Sequence, residues 1–227
     1  MKTAIILGSR SDIAEKMIPL MKDWKIYPWY RTRTLPSQGW DLVICFVGQI
    51  RPVGLWHEVS DHDWEECVRS NVIAPVRLLR QIWKQRNPNA SVCFFAGSNP
   101  NMIMPGYSAY NVGKMALLKA VEQLDAESDA RIFALGPGIV LTKIHQATLD
   151  AKWDNPKLEA AMKKGQSTTV SKIWDCIKWC ISQPKDVIGG RNICVSDAWN
   201  GSTYFGKHNL AEALKKRPEK FKLRRVE

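Results

Sequence analysis

Tyr110 and Lys114 are the residues of this chain whose types and spacing most clearly indicate chemistry. They lie four positions apart near the start of a predicted helix, so both side chains project from one face. A lysine ammonium beside a phenol favours the phenolate, and we expect it to lower the tyrosine pKa from about 10 toward neutrality. Such a pair suits general acid–base chemistry on carbonyls and alcohols. The same spacing also occurs by chance in many helices.

A glycine-bearing turn, from Gly8 to Ala14, lies between the first predicted strand and the first predicted helix. Backbone N–H groups and the helix dipole favour an anion at such a turn, which makes it a candidate phosphate site. Most strand–helix turns contain a glycine, so this feature alone is unspecific. The candidate residues are Gly8, Ser9, Arg10, Ser11, Asp12 and Ile13.

Asn71 lies in a long predicted helix, four residues before Pro75. Proline has no N–H, so the carbonyl of Asn71 is expected to lose its helical partner. A freed carbonyl that faces a site can hold a water molecule. The alternative is a proline kink with no further role.

The chain alternates short apolar runs with amphipathic segments, which predicts a Rossmann-like, doubly wound and mostly parallel α/β sheet. Between the second and third runs lie only residues 32–40, so the third strand and its helix are predicted to be missing. One domain is expected over 1–227, with substrate-lid helices at 146–165 and a basic tail at 212–227. Strands are predicted at 2–7, 25–30, 41–47, 91–96, 131–135 and 192–196, and helices at 13–24, 61–86, 108–127 and 171–182.

The composition favours a soluble, cytoplasmic protein. The 227 residues include no apolar run of about 18 residues and no signal-peptide pattern, so no membrane association is expected. Six cysteines without a CxxC pair are interpreted as buried free thiols, and no metal site is predicted. The net charge of +11 permits acidic partners, and the basic tail is interpreted as a solvated segment.

Taken in order, these residues resemble the short-chain dehydrogenase/reductase family. Its members carry a glycine-rich turn, an Asn in a long helix, a Ser after the next strand, Tyr-x-x-x-Lys, and Pro-Gly-x-x-x-Thr. The corresponding positions here are Gly8, Asn71, Ser98, Tyr110, Lys114, Pro137, Gly138 and Thr142. The ending Phe221-Lys222-Leu223-Arg224-Arg225 resembles that of bacterial members associated with surface-polysaccharide or nucleotide-sugar metabolism.

The resemblance implies an NAD(P)-dependent oxidoreductase in which Tyr110 exchanges a proton with the substrate oxygen. Lys114 would hold the nicotinamide ribose, Ser98 would hydrogen-bond the substrate, and Asn71 would support a water-mediated proton path. Homodimers or homotetramers are also implied. Further cofactor contacts would come from Val47, Gly48, Ile139 and Thr142.

The chain departs from the family pattern at several positions. Asp12 and Ala14 stand where the second and third glycines are usual, and a carboxylate near a diphosphate is unhelpful unless it points away. Of the usual Asn-Asn-Ala-Gly, Cys45 to Gly48 retain only the glycine. Ser98 precedes Tyr110 by twelve residues rather than thirteen.

Cofactor choice follows from charge. Arg10 in the turn and Arg31 after the second strand suit a 2′-phosphate, so NADP(H) is preferred and NAD(H) is possible. The expected substrate is a small carbonyl or secondary alcohol, with a sugar or nucleotide-linked compound as one option. His145, Trp199 and Asn200 lie where a substrate pocket is expected, although packing roles are equally compatible with them.

Three other functions compete with this interpretation. The altered glycines favour a non-catalytic, dinucleotide-binding regulatory protein. The charge of +11 favours a nucleic-acid-binding protein, but no recognition motif accompanies it, and no nucleic-acid partner is predicted. A dehydratase or epimerase that retains its nicotinamide usually needs a longer C-terminal region.

Overall fold

The computed structural model describes residues 1–30, 39–97, 102–196, 210–217 and 219–223. Their centre is a parallel sheet of six strands in the order β2-β1-β3-β4-β5-β6. The strands are β1 (Lys2–Leu7), β2 (Trp24–Trp29), β3 (Trp40–Cys45), β4 (Arg86–Phe95), β5 (Arg131–Gly136) and β6 (Asn192–Cys194). The predicted Rossmann-like fold is thereby confirmed.

Helices cover both faces of the sheet. They are α1 (Asp12–Met17), α2 (Asp61–Val68), α3 (Ala74–Ile82), α4 (Ser108–Ala126), α5 (Gln146–Asp150), α6 (Pro156–Lys163), α7 (Val170–Ser182), α8 (Lys185–Ile188) and α9 (Leu210–Lys216). A π-turn, Arg69–Ile73, joins α2 to α3. Short 3₁₀ turns occupy Ile18–Leu20, Trp83–Gln85 and Lys143–His145.

The central strands are apolar throughout because both of their faces are covered. In β1, Ala4 and Ile6 pack into the core beneath α1 and α7, whereas Ile5 and Leu7 pack into the core beneath α3 and α4. Alternate side chains of a strand point to opposite faces, so one short run supplies both cores.

The predicted helix over 13–24 is too long. The helix α1 ends at Met17 and gives way to a 3₁₀ turn that contains Pro19. Proline lacks the N–H that would continue the α-helical pattern, and β2 therefore already begins at Trp24. The predicted helix over 61–86 is likewise interrupted, by the π-turn before Pro75.

Strand β2 forms one edge of the described sheet, and residues 30–39 alone separate it from β3. An average helix and an average strand together take about 17 residues, so a further helix and strand do not fit in this interval. The trimmed sheet agrees with the sequence prediction.

All six cysteines are buried free thiols, as predicted. Within the described residues, no helix is long and apolar enough to cross a membrane. That same part of the chain contains no cluster of three or more His, Cys, Asp or Glu side chains arranged for a metal ion.

Candidate active site

A cavity of about 400 Å³ lies at the carboxyl edge of the sheet, where the segments after β1, β3, β4 and β5 converge. Ligands of open α/β sheets bind at this edge. The cavity brings together residues that are far apart in sequence. The predicted site residues that line it are Ser11, Asp12, Ile13, Gly48, Tyr110, Lys114, Pro137, Gly138 and Thr142.

Tyr110 and Lys114 both face the cavity from α4. Tyr110 is half-buried, and Lys114 is only 6% exposed. The ammonium of Lys114 donates a hydrogen bond to the carbonyl of Phe95 (2.8 Å) and lies 5.6 Å from the centre of the Tyr110 ring.

The expected lowering of the Tyr110 pKa is wrong for this structure. Burial raises the pKa of Tyr110 to about 12, and the neighbouring Cys67 acts in the same direction. Burial also lowers the pKa of Lys114 from 10.5 to about 8. The lysine is directed at the Phe95 carbonyl, so its charge does not offset the desolvation of the phenol. Tyr110 is therefore a proton-bearing phenol at neutral pH.

Asn71 lies behind this pair, fully buried in the π-turn. Its side-chain NH₂ donates to the carbonyls of Gln49 (2.6 Å) and Cys67 (2.9 Å). Its Oδ1 is buried and has no hydrogen-bond partner among the described residues. A Cβ at Gly48 would lie 2.6 Å from this oxygen and 3.2 Å from the Nζ of Lys114. Glycine is thus required where the loop after β3 crosses Asn71 and Lys114.

The turn after β1 is held tightly against its neighbours. Gly8 has φ +77°, and a Cβ there would lie 3.1 Å from the backbone of both Phe46 and Val47. The N–H groups of Gly8 and Ser9 donate to the carbonyl of Trp29. Those two N–H groups are therefore engaged within the fold, contrary to the expectation that the whole turn presents donors to a phosphate.

The side chains of the turn have separate functions. Ser11 caps α1 by accepting a hydrogen bond from the N–H of Ala14 (3.2 Å). Arg10 stacks on the ring of Tyr30 at the end of β2, with its guanidinium carbon 4.6 Å from the ring centre. Arg31 lies outside the described residues.

Asp12 instead forms a bridge to the loop after β5. One carboxylate oxygen pairs with the Nζ of Lys143 (2.9 Å), and the other accepts its backbone N–H (2.6 Å). Burial pushes the pKa of Asp12 upward, but the hydrogen bonds and charge of Lys143 outweigh it, so the pKa is lowered. Asp12 is a paired carboxylate at the cavity wall.

The loop after β5 closes the other side of the cavity. The hydroxyl of Thr142 donates to the carbonyl of Val140 (3.2 Å), which also lies 3.1 Å from the Nε2 of His145. Ile139 lines a separate shallow groove rather than this cavity, and its carbonyl accepts the N–H of Thr168. The predicted contact from Ile139 is therefore not part of the main cavity wall.

The segment 146–165, predicted from sequence to be a substrate lid and called the lid segment below, comprises α5 and α6 and is fixed by specific contacts. The hydroxyl of Tyr107 donates to that of Thr148 (3.0 Å), and the indole of Trp153 donates to the carbonyl of Pro105 (2.9 Å). These bonds hold the lid segment against the residues that lead into α4.

Several cavity residues carried no sequence signal that singled them out. They are Phe46 and Phe95, whose ring centres lie 4.3 Å apart, and the polar residues Gln49, Arg51, Lys143 and Gln146. His145 also lines the cavity, half-buried. The predicted Ser98, Trp199 and Asn200 lie outside the described residues, and Gly8, Ser9, Arg10, Val47 and Asn71 lie next to the cavity without lining it.

Comparison with known proteins gives consistent results. The family model described as enoyl-(acyl carrier protein) reductase matches residues 35–198. The short chain dehydrogenase adrF of Penicillium roqueforti is 29% identical over 157 residues, which cover 63% of this chain and 61% of that protein. The chain thus matches about three fifths of the length of that curated relative.

Solved structures share the fold at low sequence identity. A short-chain dehydrogenase/reductase of Saccharomyces cerevisiae, YIR035C, superimposes with a TM-score of 0.73 at 17% identity, covering 87% of this chain and 97% of that one. A small-chain dehydrogenase in complex with NADPH superimposes with a TM-score of 0.70 at 16% identity, covering 85% and 95%.

Proposed function

Because the chain belongs to the short-chain dehydrogenase/reductase family, we propose that it is an oxidoreductase acting on a carbonyl or secondary alcohol with NADP(H). The observation that carries this proposal is that Tyr110 and Lys114 line one cavity at the carboxyl edge of the sheet, with Asn71 buried next to it. The substrate is a small molecule, and sugar or nucleotide-linked compounds are the class we would screen first.

The residues present fit a nicotinamide dinucleotide, which supplies or accepts the hydride when it is bound. The cavity places the buried ammonium of Lys114 and the hydroxyl of Thr142 beside the backbone of Gly48 and Gly138, which suits the polar groups of such a cofactor. Lys114, Gly48, Gly138 and Thr142 would hold the nicotinamide half. Gly8 to Ile13 and Val47 would adjoin the diphosphate, and Ile139 would contribute from the neighbouring groove.

Tyr110 would act as the proton donor during reduction. A phenol with a pKa near 12 carries its proton at neutral pH and can deliver it to an oxygen that gains negative charge. The ammonium of Lys114, now 5.6 Å from the ring centre, would stabilise the phenolate that remains by turning toward it from the Phe95 carbonyl. Ser98 is proposed to hydrogen-bond the same substrate oxygen, as the family resemblance implies.

The preference for NADP(H) rests on two arginines. Arg10, in the turn after β1, stacks on Tyr30, and Arg31 follows Tyr30 in the sequence. A guanidinium binds a phosphate through paired hydrogen bonds and charge, which favours a cofactor with a 2′-phosphate. Structural neighbours bound to NADPH and to NADH support a nicotinamide dinucleotide of either kind, so the choice between the two rests on the arginines.

A homodimer or homotetramer is proposed on the helices that carry the site. Ile73 in the π-turn and Val112 on α4 are 51% and 46% exposed, which provides apolar surface on those helices. The proposed assembly would bury this surface.

The test is a titration of the protein with NADPH and with NADH, followed by tryptophan fluorescence. Arg31→Ala should weaken NADPH binding and leave NADH binding unchanged, whereas Arg80→Ala, an exposed charge on α3, should change neither. Tyr110→Phe should retain binding and lose turnover of carbonyl compounds. Failure of wild type to bind either dinucleotide would refute the proposed function.

A second function is favoured by a specific observation. The engaged N–H groups of Gly8 and Ser9, together with Asp12 in the turn, are compatible with a regulatory protein that binds a dinucleotide without turnover. Tight NADPH binding with no oxidation of cofactor across aldehydes, ketones and nucleotide sugars would select this alternative.

A further inference from the structure

Asp12 is the one carboxylate among the described residues that line the cavity. It lies in the turn that would adjoin the diphosphate, and its side chain is 23% exposed. An unpaired carboxylate at this position would repel a dinucleotide. The chain therefore needs a specific means of neutralising it.

Lys143 supplies that neutralisation through two bonds to one carboxylate. Its Nζ pairs with one oxygen at 2.9 Å, and its backbone N–H donates to the other at 2.6 Å. The same Nζ donates to the carbonyl of Arg10 at 2.9 Å. Three contacts between residues 131 or more positions apart fix the direction of the carboxylate.

We propose that Lys143 is a positioning residue for the cofactor: it pairs with Asp12 and so makes the turn after β1 acceptable to a dinucleotide diphosphate. This inference rests on the proposed function. The consequence is that Lys143 matters because of Asp12, and that its removal is harmful only while residue 12 is charged.

Charge alone does not explain the arrangement, because Lys16 lies close enough to Asp12 to act on it electrostatically. Lys16 is exposed in the last turn of α1, and no hydrogen bond or ion pair joins it to Asp12 in the described structure. Lys16 and Lys143 therefore differ in contact but not in charge, and Lys16 provides a matched control.

The test is isothermal titration with NADPH for wild type, Lys143→Met, Asp12→Asn, the double variant and Lys16→Met. Lys143→Met should raise the Kd roughly tenfold, since one uncompensated charge then faces the diphosphate. Asp12→Asn should bind within about threefold of wild type, so that Lys143→Met has little effect in that background. The double variant should return to within about threefold of wild type, and Lys16→Met should change the Kd less than twofold.

Each variant is first checked by circular dichroism, and Lys143→Arg serves as a second variant that should retain wild-type binding. Equal weakening by Lys143→Met in the wild-type protein and in the Asp12→Asn variant would overturn the inference, because Lys143 would then act on the cofactor directly. An unchanged Kd in Lys143→Met would also overturn it while leaving the proposed function intact. Absence of NADPH and NADH binding in wild type would instead refute the proposed function, and the inference with it.

Discussion

Lys114 provides a sharp prediction because it is a charged side chain in a buried place. It is 6% exposed, and its ammonium donates to the carbonyl of Phe95. The structure gives it no carboxylate partner within the described residues. We expect Lys114→Met, which keeps the length and removes the charge, to stabilise the fold at pH 7.

The expected gain in unfolding free energy follows from the pKa of Lys114. Burial lowers this pKa from 10.5 to about 8, which corresponds to a cost of about 3 kcal/mol for keeping the ammonium charged in the folded state. Loss of the hydrogen bond to Phe95 offsets about 1 kcal/mol of that gain. The free energy of unfolding of Lys114→Met should therefore exceed that of wild type by roughly 2 kcal/mol.

The stability difference between Lys114→Met and wild type should decrease as the pH rises. Between pH 8 and 10.5 the unfolded chain retains a proton on Lys114 that the folded protein has released. The unfolded state then binds more protons, so this group makes wild type more stable as the pH rises. The advantage of Lys114→Met should accordingly be largest below pH 8 and diminish above it.

Urea denaturation followed by tryptophan fluorescence, at pH 7.0, 8.0 and 9.0, measures both effects. Lys119→Met is the matched control, since Lys119 lies on the same helix with its side chain 52% exposed. It should change the unfolding free energy by less than about 0.5 kcal/mol at every pH. The reasoning would be refuted if Lys114→Met were less stable than wild type at pH 7. It would also be refuted if the difference in unfolding free energy between the two proteins stayed constant up to pH 9.

Three further predictions concern single contacts. Gly48→Ala should lower the melting temperature clearly, because its Cβ would lie 2.6 Å from the Oδ1 of Asn71. Gly97→Ala, whose Cβ would meet no described atom within 4 Å, should leave it unchanged. Arg191→Met should lower the free energy of unfolding by about 3 kcal/mol and speed hydrogen exchange over residues 210–217. The buried guanidinium of Arg191 donates hydrogen bonds to the carbonyls of Leu214, Arg217 and Lys220, and the substitution removes all three. Tyr107→Phe removes the hydrogen bond to Thr148, which should destabilise the attachment of the lid segment by about 1 kcal/mol and increase its rate of proteolysis. An unchanged rate of cleavage would show that this hydrogen bond does not hold the segment in place.

The sheet could be predicted from sequence because its signal is local. Lys2–Leu7 and Trp40–Cys45 are short apolar runs, and a strand covered on both faces has no other pattern. Helix α4 was also predicted closely, from 108 to 127 against Ser108–Ala126. The order of the motif residues then placed Tyr110 and Lys114 at one edge of the sheet.

The properties that were not predicted depend on distant residues. The pKa of Tyr110 is set by burial under the lid segment and beside Cys67, which no spacing within α4 reveals. Asp12 and Lys143 are 131 positions apart, so the sequence does not reveal that they pair. From sequence alone, Asp12 is a carboxylate in the turn with no identifiable partner. The early end of α1 is the local exception, because Pro19 is a local sequence signal for a break in the helix.

The segment after β3 shows why this chain retains a glycine where the rest of the family pattern is lost. Cys45 is buried in the core, and Phe46 packs against Phe95, so both positions accept apolar side chains that fill space. Gly48 faces Asn71 and Lys114 at distances that leave no room for a Cβ. The physical requirement at this loop is thus a close backbone approach to the two polar groups, and a sequence that keeps Gly48, Asn71 and Lys114 keeps that approach whatever occupies the neighbouring positions.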